Sequence, residues 1–283
     1  MRDKLKLLFS RAARKRKALQ GTGLVASVPD RSAVGMTRTQ DLFVQWNAER
    51  LGISLEDGKR RYAASWAVLP QGHSGAAFGE FNGVAHEVFR VFFEDSAREV
   101  FDMYRCHGPM HFLVMLTYPE PTWAATDLIV RELSQRSEIS ILDFGCGLAQ
   151  QSRTLAQYLR DHGKKVRLAL ADIPTLRAEF LAWWGRHTGI PTTFLACSAA
   201  TPIPELPERD ICQATEFFEH VYDPLAYFER IDAKLASGGL LVTGIMDHHA
   251  DFMHVSPSLA ALRSRIAERG YTVLVADRIL RKP

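Results

Sequence analysis

The sequence predicts a doubly wound α/β fold with a mostly parallel sheet, preceded by an N-terminal helical cap. Three observations indicate it. In the second half of the chain, apolar segments of strand length alternate with helical segments, a glycine-rich turn follows the first strand, and polar residues follow the later ones. The length of 283 residues suits one such domain with an N-terminal extension.

The first predicted strand is the apolar run 139–144, which contains an acid, Asp143, near its end. Gly145 and Gly147 follow it, and a helix is predicted over 148–161. Glycine lets backbone N–H groups approach a ligand closely because it has no Cβ. Open α/β sheets bind ligands at the carboxyl ends of their strands. The turn therefore predicts a cofactor pocket.

The residues around this turn bear on which cofactor it holds. A dinucleotide fingerprint needs a small residue three positions after the second glycine, and Gln150 stands there. The carboxylate of Asp143 suits an ammonium group better than phosphate oxygens. S-adenosylmethionine has an ammonium group and no phosphate, so it is favoured over a nicotinamide dinucleotide.

Four more predicted strands end in polar residues or follow a helix. They are 166–171 before Asp172, 192–197 before Ser198, 210–215 before Glu216, and 239–246 after a helix over 224–236. A carboxylate at the end of the second strand can accept two hydrogen bonds from a ribose diol. Asp172 is therefore the ribose candidate, although it could also cap the helix that begins nearby.

From about Thr122 to Pro283 the chain resembles the class I S-adenosylmethionine-dependent methyltransferases. The resemblance rests on Asp143–Gly147, Asp172, Glu216–Pro224 and Gly238–Leu241. It implies a Rossmann-like domain over 122–283 that binds S-adenosylmethionine. It also implies a sheet whose last strand is an antiparallel seventh.

The resemblance also implies which residues bind the cofactor. Asp143, Gly145 and Gly147 would hold the methionine part, and Asp172 the ribose. Ser198 and Ala199 would contact the adenine edge, and the family's usual acid after the third strand is missing there. The remaining predicted pocket residues are Cys146, Ile173 and Glu216.

An acid–histidine cluster follows the fourth predicted strand. Glu216, Glu219 and His220 have the spacing that places residues on one face of a helical turn. This resembles the E-x-x-E-H motif of ubiquinone-pathway and small-RNA O-methyltransferases, where the cluster binds Mg²⁺ or a similar ion. A metal site is one hypothesis, with a fourth ligand from His248, His249 or His254. A metal-free helix start beside the pocket is the simpler one.

Methyl transfer to oxygen or nitrogen requires alignment of the reactants and a way to remove the acceptor proton. Histidine can take that proton near neutral pH. His220 is the first candidate for this role, and His248 and His249 are the next. His254 could be a ligand or a plain surface residue.

The N-terminal region divides into a basic arm and linker over 1–37 and a helical cap over 38–121. Helices are predicted up to Gly52, over 54–68 and over 84–105. Residues 1–17 carry eight Lys and Arg against one Asp, a net +7, whereas the whole chain carries +3. Aromatic side chains of the cap are expected to face the acceptor, namely Phe78, Phe81, Tyr104 and Phe112.

The cysteines and the C-terminus support further expectations. Four cysteines without paired spacing are expected to be reduced thiols, which with no recognisable signal peptide indicates a cytoplasmic location. No apolar run reaches membrane-spanning length. One strand is predicted over 271–280, which would leave the sheet edge truncated and favour a homodimer.

Together these observations predict a methyltransferase that acts on a small-molecule hydroxyl, on a sugar or a natural product. RNA 2′-O-methylation is the alternative that the basic arm favours. The net negative charge outside the arm makes nucleic acid the less favoured partner. A non-catalytic scaffold that retains the fold is the alternative from another class.

Overall fold

The computed structural model describes residues 36–68, 101, 104–105, 126–247, 254–256 and 258–283. Its helices are α1 Arg38–Leu51, α2 Leu55–Val68, α3 Thr126–Glu132, α4 Gln150–Asp161, α5 Leu176–Thr188, α6 Pro224–Asp232 and α7 Ala260–Glu268. Its strands are β1 Glu138–Phe144, β2 Lys165–Asp172, β3 Thr192–Ala196, β4 Arg209–Ala214, β5 Leu235–Thr243, β6 Thr272–Val275 and β7 Ile279–Arg281. A short 3-10 helix, Phe218–His220, follows β4.

The strands form a seven-stranded sheet in the order β3-β2-β1-β4-β5-β7-β6. Strands β1 to β5 pair in parallel, and β7 runs antiparallel to both β5 and β6. The predicted doubly wound, mostly parallel sheet is therefore confirmed. The strand order reverses between β1 and β4, which is where folds of this kind open a ligand crevice.

The C-terminal prediction of one strand over 271–280 is wrong, because the chain turns inside that range. Asp277 adopts a left-handed conformation with φ 56°, which aspartate tolerates better than most residues. The turn therefore needs neither Gly nor Pro, and the Arg278 N–H closes it on the Val275 carbonyl at 3.1 Å. The resulting hairpin supplies the antiparallel seventh strand, so the sheet edge is not truncated and the reason given for a homodimer is removed.

Two hydrophobic clusters cover the two faces of the sheet. Residues of α3, α4 and α5 pack on one face, and residues of α6 and α7 pack on the other. Trp46 of α1 belongs to the first cluster, and its ring lies edge-on to Phe180 of α5 at 5.6 Å between ring centroids. The first helix of the predicted cap thus shares a core with the sheet, while the predicted boundary near residue 121 lies outside the described residues.

Local sequence signals set the start and the end of α1. The Thr37 hydroxyl accepts a hydrogen bond from the Gln40 backbone N–H, and the Gln40 side chain accepts one from the Thr37 backbone N–H, which forms a capping box. Gly52 ends α1 in a left-handed conformation with φ 64°, as the sequence predicts. The buried Arg153 of α4 ties α1 to the sheet domain because its Nη2 lies 3.3 Å from Thr39 Oγ1.

Several element boundaries differ from the predictions. Helix α4 begins at Gln150, because Ala149 is left-handed with φ 51°. Helix α6 ends at Asp232 and β5 begins at Leu235, earlier than predicted. Most of the helix predicted over 84–105 lies outside the described residues. Among the helices that the structure describes, none combines the length and the apolar character that crossing a bilayer requires.

Candidate functional site

The backbone of the glycine turn after β1 can come close to a ligand, because no Cβ covers it at Gly145 and Gly147. Gly145 and Gly147 have positive φ angles of 70° and 54°, which are unstrained only for residues without a Cβ. The Gly145 N–H donates to the Ala171 carbonyl at 2.8 Å, so the turn is fixed to the end of β2. A Cβ on Gly145 would overlap the Phe217 ring, which packs directly over the turn.

Asp172 lies against this turn, as the sequence predicts. Its Oδ2 accepts a hydrogen bond from the Gly147 N–H at 2.7 Å, and its Oδ1 accepts one from the Ile173 N–H at 2.6 Å. The alternative that Asp172 caps the next helix is wrong, because Thr175 caps α5 by accepting from the Arg177 N–H. The carboxylate is thus held at the carboxyl edge of the sheet, where a ribose could reach it.

Asp143 lies on the same face of the sheet as Asp172. Its Cα pairs in register with Leu170, two residues before Asp172 on the neighbouring strand. The Ser152 hydroxyl of α4 donates to its carboxylate. Burial and, to a smaller extent, the negative charge of Asp172 raise the pKa of Asp143 to about 7, and the Ser152 hydrogen bond opposes this rise.

A buried arginine next to Asp172 was missed by sequence reasoning. The Arg177 side chain is 4% exposed, and its Nη2 lies 3.5 Å from Asp172 Oδ1. Its Nε donates to Thr175 Oγ1 at 3.1 Å. The signal that could have revealed it is an arginine in the first turn of a predicted helix, where the helix dipole disfavours a cation.

The two predicted adenine residues, Ser198 and Ala199, lie exposed after β3. The Cys197 N–H donates to the Asp172 backbone carbonyl at 2.9 Å, so this turn adjoins the ribose candidate. Within the turn, the Thr201 N–H donates to Ser198 Oγ at 3.1 Å.

The described cysteines are reduced thiols, as predicted, and Cys106 lies outside the described residues. Burial and the negative charge of Asp172 raise the pKa of Cys197 to about 12. Burial likewise raises the pKa of Cys146. Both thiols beside the glycine turn therefore stay protonated near neutral pH and act as small apolar side chains.

The acid–histidine cluster forms, but with a different membership from the one predicted. Ligand atoms of Glu219, His220 and His254 all lie within 4.8 Å of one another. Glu216 is not on the same helical face as Glu219 and His220. Its left-handed backbone, with φ 49°, interrupts the helical geometry before the 3-10 helix begins. Its carboxylate instead points towards Gly244 at the end of β5.

Glu219 is the buried centre of this cluster. Its side chain is 0% exposed, and its Oε1 lies 3.8 Å from His220 Nε2. The Ser256 N–H donates to the Glu219 carbonyl at 2.9 Å, which holds the segment with His254 beside it. The His220 and His254 rings meet edge-on at 4.9 Å between centroids.

Among the described residues of the predicted cap, Tyr104 reaches the site. The Tyr104 ring is perpendicular to the His220 ring at 6.5 Å between centroids. Burial raises the pKa of Tyr104, and the negative charges of Asp172 and Glu219 add to this effect. Tyr104 therefore lies within electrostatic reach of both acids. The other cap aromatics, Phe78, Phe81 and Phe112, and the two candidates His248 and His249 lie outside the described residues.

The assembled site has two parts along one edge of the sheet. The first part, at β1 and β2, joins a close-approach glycine turn to two carboxylates. The second part, after β4, joins a buried carboxylate to two imidazoles. Such a site can bind a cationic nucleoside on one side and accept or orient a proton on the other.

The chain matches no known protein family profile and no curated protein. Solved structures do resemble it. The [4+2]-cyclase SpnF has 18% identity and a TM-score of 0.47 over 65% of this chain and 75% of its own. A putative class I S-adenosylmethionine-dependent methyltransferase from Listeria monocytogenes has 14% identity and a TM-score of 0.46 over 86% of this chain and 87% of its own.

Human N-acetylserotonin methyltransferase, solved in complex with S-adenosylmethionine, is also similar. It has 15% identity and a TM-score of 0.45 over 66% of this chain and 59% of its own. At this distance the similarities carry no information about the reaction or the acceptor of this protein.

Proposed function

We propose that the protein is an S-adenosylmethionine-dependent methyltransferase that methylates a hydroxyl oxygen of a small molecule, such as a sugar or a natural product. The observation that carries the proposal is the position of Asp143, the glycine turn and Asp172 on adjacent strand ends. The His220 cluster lies after β4, the strand on the other side of β1.

The chemistry of these residues fits the methyl donor. S-adenosylmethionine supplies, when bound, an electrophilic methyl group on a sulfonium. Asp143 offers a carboxylate to the ammonium group, and Asp172 offers one to the ribose diol. Because the two carboxyl groups flank the glycine turn, a pyrophosphate there would meet the charge of Asp172 and would further disfavour ionisation of Asp143. The site therefore favours a phosphate-free nucleoside.

His220 is the proposed general base. As the new oxygen–carbon bond forms and the sulfur–carbon bond breaks, the acceptor hydroxyl proton moves to a ring nitrogen of His220. The methyl donor would leave as a neutral thioether. The Glu219 carboxylate, 3.8 Å from His220 Nε2, stabilises the resulting imidazolium, which afterwards releases its proton to water.

Ligand binding tests the first part of the proposal. Calorimetry should show that S-adenosylhomocysteine binds the wild-type protein. Asp172→Ala should weaken binding by about 1.5–3 kcal/mol, roughly 10- to 150-fold, because hydrogen bonds to a charged group are lost. Asp161→Ala, an exposed acid at the end of α4, is the matched control and should bind normally. A folded protein that ignores the ligand would instead support the scaffold alternative.

Transfer of a labelled methyl group tests the second part. Incubation with methyl-labelled S-adenosylmethionine and a panel of phenols, sugars and amines should label hydroxyl acceptors. His220→Ala should lower kcat by about 10²–10⁴-fold while S-adenosylhomocysteine still binds. Labelling of amines alone would contradict the assignment of oxygen.

A metal-assisted form of the reaction is a second candidate, favoured by the grouping of Glu219, His220 and His254. A bound cation would lower the pKa of the acceptor hydroxyl. Two imidazole nitrogens and one carboxylate suit Zn²⁺, Mn²⁺ or Fe²⁺ better than the Mg²⁺ expected from the sequence, which prefers oxygen ligands.

Chelation separates the metal-free and metal-assisted forms. If His220 acts alone as the base, the chelated and dialysed enzyme should keep its activity, and His254→Ala should have a small effect. If a metal is used, chelation and the His254→Ala substitution should each abolish turnover. Addition of Zn²⁺, Mn²⁺ or Fe²⁺ should then restore the activity of the chelated enzyme.

A further inference from the structure

The proposed function does not account for Arg177, which lies beside Asp172. Arg177 lies in the first turn of α5, where the helix dipole disfavours a positive charge. Its side chain is 4% exposed, and a buried guanidinium is costly unless it is paired and hydrogen-bonded. This placement requires a compensating interaction.

Asp172 and Thr175 contribute to that interaction. Arg177 Nη2 lies 3.5 Å from Asp172 Oδ1, and Arg177 Nε donates to Thr175 Oγ1 at 3.1 Å. The same Thr175 oxygen accepts the Arg177 backbone N–H as the cap of α5. One hydroxyl therefore orients both the start of the helix and the guanidinium plane.

The acceptor capacity of Asp172 shows how these contacts bear on a ligand. A carboxylate offers about four lone-pair positions. The Ile173 N–H and Arg177 contact Oδ1, whereas the Gly147 N–H and the Cys146 thiol contact Oδ2, the thiol at 3.9 Å. Because a thiol is a weak donor, one ribose hydroxyl can replace it on Oδ2. The other can share Oδ1 with the guanidinium, whose 3.5 Å contact is longer than the 2.6 Å bond from the Ile173 N–H.

The electrostatic effects of Asp172 and Arg177 on their neighbours also indicate that the two residues act as a pair. Burial raises the pKa of Asp143, Cys146, Cys197 and Tyr104, and the negative charge of Asp172 adds to this rise at each of them. The guanidinium of Arg177 opposes this effect at both Cys146 and Tyr104. Arg177 thus offsets the charge of Asp172 in a crowded, poorly solvated region next to a second acid.

We propose that Arg177 is a positioning residue for ribose recognition, which holds the Asp172 carboxylate against the glycine turn so that it can bind the 2′ and 3′ hydroxyls. This inference rests on the proposed function and deepens it. It assigns the selectivity for a ribose over a deoxyribose to a residue pair, Asp172 and Arg177. A carboxylate without its guanidinium would point less consistently at the diol.

Nucleoside selectivity tests the pair. By calorimetry, the wild-type protein should bind adenosine at least about tenfold more tightly than 2′-deoxyadenosine, because a site built for a hydroxyl rejects the analogue that lacks it. Arg177→Met should weaken S-adenosylhomocysteine binding about tenfold and reduce the adenosine preference below about threefold. Arg177→Lys should give intermediate values. Arg186→Met, exposed on the same helix, should retain wild-type values.

Thermal melting establishes whether each variant is folded. A folded Arg177→Met protein with wild-type adenosine preference would overturn the inference and leave the proposed function intact. A wild-type protein that binds neither S-adenosylhomocysteine nor adenosine would overturn both.

A double-variant cycle covers the case in which Arg177→Met does not fold. The carboxamide in Asp172→Asn lacks the charge that Arg177 pairs with. In that background, Arg177→Met should therefore cause no further loss of S-adenosylhomocysteine affinity. A further loss of affinity in the double variant, relative to Asp172→Asn alone, would contradict positioning through Asp172.

Discussion

At the scale of single residues, the site is defined by where carboxylates are buried. Asp143 is 6% exposed and is flanked in register by Leu170 on β2 and Gln213 on β4. Water cannot stabilise its charge there, so the carboxyl group holds its proton to an unusually high pH. An arriving ammonium group would provide the missing positive charge, which makes ligand binding and proton release coupled events.

The pKa of Asp143, raised to about 7, predicts a pH-dependent affinity for S-adenosylhomocysteine. The ligand's ammonium favours the ionised carboxylate, so affinity should be full above pH 7 and lost as the pH falls through 7, by up to about tenfold per pH unit. Calorimetry between pH 5.5 and 8.5 measures this. Asp143→Asn should bind more weakly with a nearly flat profile; a profile as steep as the wild type would assign the effect to another group.

Gln213 is a second buried polar residue with a testable cost. Its side chain is 1% exposed, and neither its amide nitrogen nor its amide oxygen has a hydrogen-bond partner among the described residues. Gln213→Leu removes this desolvation cost at nearly constant volume. It should leave the free energy of unfolding unchanged or raise it by about 1 kcal/mol, measured by urea denaturation.

The matched control for this substitution is Gln213→Ala. It removes the same polar group but leaves a cavity, so it should lower the free energy of unfolding by about 1–3 kcal/mol. A similar loss for Gln213→Leu would mean that the amide does have a stabilising partner.

At the scale of elements, strands β1 to β4 were predicted within about one residue, because a buried parallel strand is a continuous apolar run. Boundaries failed where backbone conformation decided them. Ala149, Glu216 and Asp277 all adopt positive φ angles without being glycine. Each shifts or divides a predicted element, and periodicity carries no signal for such a residue.

The glycine turn gives an element-scale prediction. Gly145→Ala places a Cβ into the Phe217 ring at a positive φ, so it should lower the free energy of unfolding by about 2–5 kcal/mol and abolish S-adenosylhomocysteine binding. Gly163→Ala has a similar φ of 76° but no atom within 4 Å of the new Cβ.

Gly163→Ala is therefore the control, and it should cost only about 1–2 kcal/mol and leave binding intact. Chemical denaturation and calorimetry on the same samples separate the steric effect from the conformational one. Equal losses of stability in the two variants would show that the Phe217 contact is unimportant.

At the scale of the whole molecule, α1 is part of the same core as the sheet. Trp46 is 4% exposed within that core, and Trp183 of α5 donates to Glu49 at 2.6 Å. The helix therefore stabilises the face of the sheet that carries Asp143 and Asp172. Helix α1 therefore contributes to the stability of the sheet domain.

Trp46→Ala should lower the free energy of unfolding by about 3–5 kcal/mol, because it leaves a large cavity in a shared core. The described helices and the sheet should still unfold in one transition, followed by circular dichroism in urea. Leu51→Ala, 45% exposed at the end of the same helix, should change stability by less than about 0.5 kcal/mol. Two separate transitions would show that α1 belongs to an independent unit.

The parallel sheet, the glycine turn and the acid at the end of the second strand, Asp172, were predictable, because they depend on local apolar runs and on the residues adjacent to them. Only the tertiary structure decided the rest. His254 joins Glu219 and His220 across more than thirty residues of chain, and α1 contributes Trp46 to the core on one face of the sheet. Contacts of this kind depend on how separate elements pack, and local spacing does not encode that packing.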